Sequence, residues 1–203
     1  DITHPDNIDL LLYENMETKI EKLTSIFSTM VNNANQRGAM WRNADLAPKA
    51  LDLMKELPDV MEGEIESPAH KAELLSMMLD QMDETLTPRL CIKVREYMLE
   101  LNPNDSDNKD QLNMLRDFID LSMPMENFCK KHNRHLKFDP IERTEEWERV
   151  IVDVEKRCND KLKDEPRCMG FFFMYWSVRR DELARHGISW KSPRAMNPRI
   201  RFD

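Results

Sequence analysis

The sequence predicts an all-α protein: a single-domain bundle of six to eight helices with a long N-terminal helix, an aromatic-rich central C-terminal helix and an ordered, irregular C-terminal tail. Its 203 residues include 4 glycines, whereas an average protein of this length has about 14. Positions that can adopt the positive φ of tight hairpins and bulges are therefore scarce. Leu, Met, Glu, Lys and Arg are abundant, and these side chains lose little rotamer freedom in a helix.

The first helix is predicted over 6–37, with its end near Gly38. Its apolar residues are separated alternately by three and four positions, which is the spacing of a heptad seam. The seam consists of Tyr13, Met16, Ile20, Leu23, Phe27, Met30 and Ala34, and it is widened by Ile8, Leu12, Ile26 and Val31. A seam of this length suits either the spine of a bundle or a helix that pairs with a second copy, and the sequence leaves both open.

Prolines and turn residues divide the middle of the chain. The segment after Pro58 reads as a loop, and Ser67 is expected to cap the helix that follows it. The predicted helices are 45–57, 68 to about 87, 89–101, 109–123, a short one within 125–135, and one that begins at Thr144 and runs to about 162. The segment 89–101 is either a separate helix or a kinked extension of the helix before it.

The last helix is predicted over 168–187 and carries a dense aromatic run. Gly187 stands where a left-handed residue closes a helix, so Ile188 is expected to fold back on Leu183. Flat rings can bind flat ligands, which makes Phe171, Tyr175 and Trp176 candidate lining for a ligand pocket. The alternative, which we favour for Phe172, Phe173 and Trp176, is simple core packing.

The tail, residues 188–203, is rich in proline and arginine yet keeps apolar residues throughout. Trp190, Met196, Ile200 and Phe202 lie in this stretch, and a disordered segment seldom retains so many. We expect the tail to wrap over the bundle with Trp190 as its anchor. If it does not wrap on its own chain, it is a candidate peptide-like ligand for a partner.

Charge is distributed unevenly along the chain. The formal net charge is −8, yet residues 166–203 hold eight Lys or Arg against three acids. The basic end either docks on the chain's own acidic body, which we favour, or forms an anion-binding patch. A nucleic acid is the less favoured partner, because the acidic remainder repels it at long range. The candidate contact residues are Arg179, Arg180, Arg185, Trp190, Lys191, Arg194, Arg199 and Arg201.

Catalytic, metal and cofactor signatures are missing from the sequence. It has no nucleophile elbow and no glycine-rich phosphate loop, and its four cysteines form no C-x-x-C pair. His132 and His135 supply two possible metal ligands, which is fewer than a site needs. No cofactor and no catalytic residue is predicted. The longest apolar run is far shorter than the roughly 20 residues of a membrane-spanning helix, so we expect a soluble, cytoplasmic protein with reduced thiols.

These observations favour a non-enzymatic helical interaction protein. It would contact a protein partner or a second copy of itself through its long helix or its tail. The first alternative is a small-ligand or cofactor binder with a pocket beside the last helix. The second is an anion or nucleic-acid binder that uses the basic C-terminal segment.

Overall fold

The computed structural model describes residues 5–58 and 68–202, with side chains from Leu12 onward. All regular structure in these ranges is helical, which confirms the predicted class. The helices are α1 Pro5–Asn35, α2 Asn43–Glu56, α3 Pro68–Leu79, α4 Pro88–Leu101, α5 Ser106–Ile119, α6 Met125–Lys131, α7 Glu145–Lys161, α8 Phe171–Arg185 and α9 Pro193–Met196, with 3₁₀ turns at Met40–Arg42 and Pro140–Arg143. The count in these ranges exceeds six to eight because a single turn, α9, forms within the tail. None of the described helices is both long enough and apolar enough to cross a bilayer.

Some predictions lie outside the described residues. These are the loop from residue 59, the Ser67 cap, and the packing of Ile8 in the first seam. The described chain divides into two compact units. The first comprises Asp1–Asp83 and Lys93–Asn108, and the second Glu84–Ile92 and Lys109–Asp203, so both α4 and α5 contribute to each. The expected single domain over 1–203 stays a prediction.

In the first unit, α1 packs against α2, and α2 in turn contacts α3. The heptad seam of α1 is buried at Leu23 and Met30, but Tyr13, near the N-terminal end of the seam, is 64% exposed. The long helix is therefore confirmed, while its seam is covered by its own unit only in the C-terminal half. The buried apolar residues contributed by α2 are Ala47, Ala50, Leu51, Leu53 and Met54.

Helix α3 ends at Leu79, about eight residues earlier than the pattern predicts. Tight turns follow, in which Gln81 and Met82 donate their N–H groups to carbonyls three residues back. The buried amide of Asn43 holds this turn, since its Nδ2 donates to the Gln81 carbonyl at 2.6 Å. The chain thus leaves the helix where a residue far away in sequence supplies a hydrogen bond.

The second unit is built around the packing of α7 on α8. Helix α7 starts at the predicted place, where Thr144 caps it by accepting a hydrogen bond from the Trp147 N–H at 3.2 Å. The main core cluster consists of Trp147, Ile151, Val154, Cys158, Leu183, Ile188 and Trp190.

Arg143 fixes the end of α5 within the second unit. Its side chain is 2% exposed, and its guanidinium donates only to backbone carbonyls. Those acceptors are Phe118 at 2.7 Å, Met123 at 2.7 Å, Asp117 at 3.1 Å and Asp120 at 2.6 Å. A cation at this place is favourable, because carbonyl groups with partial negative charge gather at a helix C-terminus.

Candidate functional site

The aromatic residues of α8 are only partly buried. The helix begins at Phe171, after Gly170 with φ 85°. Phe172, Phe173 and Trp176 are half-buried, and the fully buried residues of α8 are Glu182 and Leu183. The core-packing interpretation holds in part for Trp176, which packs against the core cluster that contains Leu183. Phe172 and Phe173, at the N-terminal end of the helix, are not part of that cluster.

Three rings surround Trp176. Its centroid lies 5.0 Å from that of Phe172, 5.7 Å from that of Phe173 and 5.5 Å from that of Phe202 in the tail. The corresponding interplanar angles are 63°, 86° and 90°. Edge-to-face packing of this kind is favourable for aromatic pairs. It holds the end of the tail against α8.

The predicted ligand trio is divided between two faces of α8. Phe171 and Tyr175, four residues apart, share one face, and the Tyr175 hydroxyl donates to the Glu155 carboxylate on α7. The guanidinium of Arg167 lies 4.8 Å from the centroid of Phe171. Trp176 lies on a different face of the helix, and the opening that it lines does not include Phe171 or Tyr175.

The tail is ordered and begins with the predicted helix closure. Gly187 has φ 76°, and the Ile188 N–H donates to the Leu183 carbonyl at 3.0 Å. Trp190 follows and is 3% exposed, with its ring centroid 6.1 Å from that of Trp147. Trp190 is therefore the anchor that wraps the tail on its own chain, with only a small part of its side chain left accessible.

Polar contacts hold the tail beyond this anchor. The Lys191 N–H donates to Asp139 at 2.7 Å. The Asn197 side chain accepts from the Lys137 N–H at 3.0 Å and donates to the Lys137 carbonyl at 2.7 Å. This pair of bonds satisfies both backbone groups of one residue and fixes the register of the tail.

Arg179 and Arg180 have different surroundings although they are adjacent. Arg179 forms an ion pair with Glu155 at 2.9 Å and lies 5.2 Å from the ring centroids of both Trp147 and Trp190. Its side chain is 14% exposed, which corrects its assignment as an anion contact. Arg180 is exposed, and its closest carboxylate oxygen is that of Asp181 at 3.9 Å.

A groove runs between α8 and the tail, and we name it the tail groove. It has two adjoining openings of about 710 and 350 Å³. Both openings are lined by Phe173, Ser192, Arg194 and Ala195. Pro198, Ile200, Arg201 and Phe202 complete the larger opening, and Trp176, Ser177, Arg180, Trp190 and Lys191 complete the smaller one.

Four of the predicted cations line the tail groove: Arg180, Lys191, Arg194 and Arg201. The last three form no ion pair with any carboxylate of the described residues, and the Arg194 guanidinium lies 5.1 Å from the Phe173 centroid. Arg199 is exposed but does not line the groove, and Arg185 lies 3.7 Å from Glu182 instead. The groove thus combines aromatic walls with cations, three of which have no ion pair within the described part of the chain.

The titratable groups under the tail have shifted pKa values. Burial raises the pKa of the Glu142 carboxyl, against the opposing effects of Arg179 and of a hydrogen bond from Trp190. Burial also raises the pKa of the Cys158 thiol to about 12. Within the described residues no three His, Cys, Asp or Glu side chains are grouped to hold a metal ion.

Several lining residues escaped the sequence interpretation. Phe173 was assigned to the core, and Ile200 and Phe202 only to a wrapped tail, yet they form opposite walls of the larger opening. The three-residue spacing of Phe173 and Trp176 was the available signal, because it places both on one helical face.

Comparison of the chain with models of protein families, with curated proteins and with solved structures finds no match.

Proposed function

We propose that this chain is a non-catalytic binding protein that holds a segment of a partner protein in the tail groove. The observation that carries the proposal is the line of four cations beside half-buried rings in a protein with a net charge of −8. Aromatic and arginine side chains are the residues that dominate the energetics of protein interfaces. Its proposed location is the cytoplasm, where thiols stay reduced.

The lining of the groove supports binding rather than catalysis. Among the described residues, the lining consists of aromatic, aliphatic, hydroxyl and cationic side chains and includes no carboxylate or imidazole. A general base or an activated nucleophile would need one of those groups close by. The small-ligand alternative has less support, because the opening that Trp176 lines does not include Phe171 or Tyr175.

Selection from a library of random 12-residue peptides tests the proposal. The purified protein is compared with R194E/R201E, which reverses two groove cations, and with K156E/K163E, which makes the same charge change at exposed positions outside the groove. We expect peptides that bind the wild type and K156E/K163E with equal affinity but do not bind R194E/R201E. Selection of no peptide, or of peptides that bind all three proteins equally, would contradict the proposal.

A further inference from the structure

We propose that the segment held in the tail groove is an elongated acidic peptide with one apolar anchor side chain. This inference rests on the proposed function and assigns the chemistry of the partner. It follows from three features of the groove: the spacing of its cations, the composition of its larger opening, and the way its rings are already engaged.

The cations are distributed along the groove rather than gathered at one end. Arg201 lines the larger opening, Arg180 and Lys191 line the smaller one, and Arg194 lines both. A ligand that meets all of them must be elongated and must carry several negative groups. Guanidinium groups bind carboxylates through paired, charge-assisted hydrogen bonds, so aspartate and glutamate side chains are the matching partners.

The larger opening supplies the site for an apolar anchor. Phe173 forms one wall, Ile200 and Phe202 form the other, and Pro198 and Ala195 complete the lining. Ile200 is 43% exposed, so an inserted side chain would remove apolar surface from water on both sides. Burying a leucine- or phenylalanine-sized side chain in this way should strengthen binding about 10- to 150-fold.

The phosphates of a single-stranded nucleic acid could pair with the same cations, but its bases could not stack on the rings of the groove. Base stacking requires an open aromatic face, whereas Arg194 lies over the ring of Phe173 at 5.1 Å. Three rings pack around Trp176 with interplanar angles of 63° to 90°. The acidic remainder of the protein also repels a long polyanion at a distance, while a short acidic peptide meets mainly the local cations.

The test begins with the sequences of the groove-dependent peptides described above. We expect enrichment of Asp and Glu on both sides of one Leu, Ile, Met, Phe or Trp. One such peptide, labelled with fluorescein, is then titrated in anisotropy measurements beside two variants. The first variant replaces its acids by Gln and Asn, and the second replaces its anchor by Ala. Each should bind at least about tenfold more weakly, since hydrogen bonds to charged groups and a buried side chain are each worth more than 1.4 kcal/mol.

Each alternative has its own result. Groove-dependent peptides that keep their affinity after loss of their acids overturn this inference and leave the proposed function standing. A second result would be that a 20-nucleotide oligothymidylate binds the wild type more tightly than any peptide does and fails to bind R194E/R201E. The groove would then be a nucleic-acid site, which overturns the inference. A wild-type dimer that R194E/R201E converts to monomer would mean that a second copy of this chain occupies the groove.

Discussion

The indole N–H of Trp190 donates a hydrogen bond to the Glu142 carboxylate at 3.3 Å. Forty-eight residues separate the two, so this bond ties the start of the tail to the turn that precedes α7. The indole ring lies beside Trp147 in the core, and its N–H would lack a partner there without Glu142. The tail groove depends on this attachment, because most of its outer wall is the tail itself.

Replacing Trp190 by Ala should detach the tail and destabilise the second unit. Truncating a large buried aromatic side chain costs about 3–5 kcal/mol. Urea unfolding followed by circular dichroism measures the loss. Limited trypsin digestion should also cut the native variant faster after Arg194 and Arg199.

Lys191→Ala is the matched control, because the hydrogen bond of Lys191 to Asp139 comes from its backbone N–H. This exposed side chain should contribute less than about 0.5 kcal/mol. Equal stability of the two variants would mean that Trp190 is not the anchor of the tail.

Glu142→Gln should gain stability relative to the wild type as pH rises. Burial raises the pKa of the Glu142 carboxyl in the folded protein, so the folded state holds this proton more tightly than the unfolded chain does. Stability from Glu142 is therefore fully present below the unfolded value of about 4.3 and is lost as pH rises through the folded value. Gln has no such titration. Urea unfolding of both proteins at pH 4 and pH 7.5 measures the difference in stability. A variant that is less stable relative to the wild type at pH 7.5 than at pH 4 would contradict the assignment.

The fold could be predicted where the deciding interactions are local. The Thr144 cap and the closure at Gly187 each join residues within five positions of one another, so their side chains and backbone freedom alone determine them. The end of α3 could not be predicted, because it depends on a hydrogen bond from Asn43, which is 38 residues away. Long-range contacts of this kind leave no periodic signal.

The candidate site was predicted in composition but not in arrangement. Its cations and aromatic residues were identified from the sequence. Residue type alone does not tell which of the adjacent Arg179 and Arg180 is paired inside the protein and which is exposed. The packing of α8 on α7 decides that Arg179 meets Glu155 while Arg180 meets solvent. Likewise, helical spacing separates Phe171 from Trp176, but only the position of the tail decides which face becomes a groove.

Arg143→Met should destabilise the second unit strongly. The substitution keeps an apolar side chain of similar length but removes the guanidinium donor from four backbone carbonyls. The carbonyls of Asp117 and Asp120 still accept a backbone N–H each, so the loss falls mainly on those of Phe118 and Met123. Unsatisfied buried acceptors cost about 1–3 kcal/mol each, so a total loss of about 2 kcal/mol or more is expected. Urea unfolding gives the value.

Arg149→Met serves as the control for this substitution, because Arg149 forms an exposed pair with Glu145 one helical turn away. Such a pair contributes about 0.3–0.5 kcal/mol. Arg143 would have no special role in closing α5 if both variants unfolded at the same urea concentration.

One thiol of the native protein should react rapidly with Ellman's reagent at pH 8. Of the four free cysteines, Cys168 is exposed and the other three are buried. Burial also raises the pKa of Cys158 to about 12, so its reactive thiolate is scarce at that pH. Cys168→Ser should remove the fast phase and leave the slow ones unchanged. Two or more fast thiols in the native wild type would contradict the burial of the others.

The tail groove as the binding surface is tested most directly by the indole N–H signals of the protein in ¹H–¹⁵N spectra. The chain has four tryptophans, and among them Trp176 is the half-buried residue of the groove while Trp41 lies in the first unit. During titration with a selected acidic peptide, the Trp176 signal should shift most and the Trp41 signal should stay in place. A shift of the Trp41 signal with Trp176 unmoved would place the binding surface elsewhere on the protein.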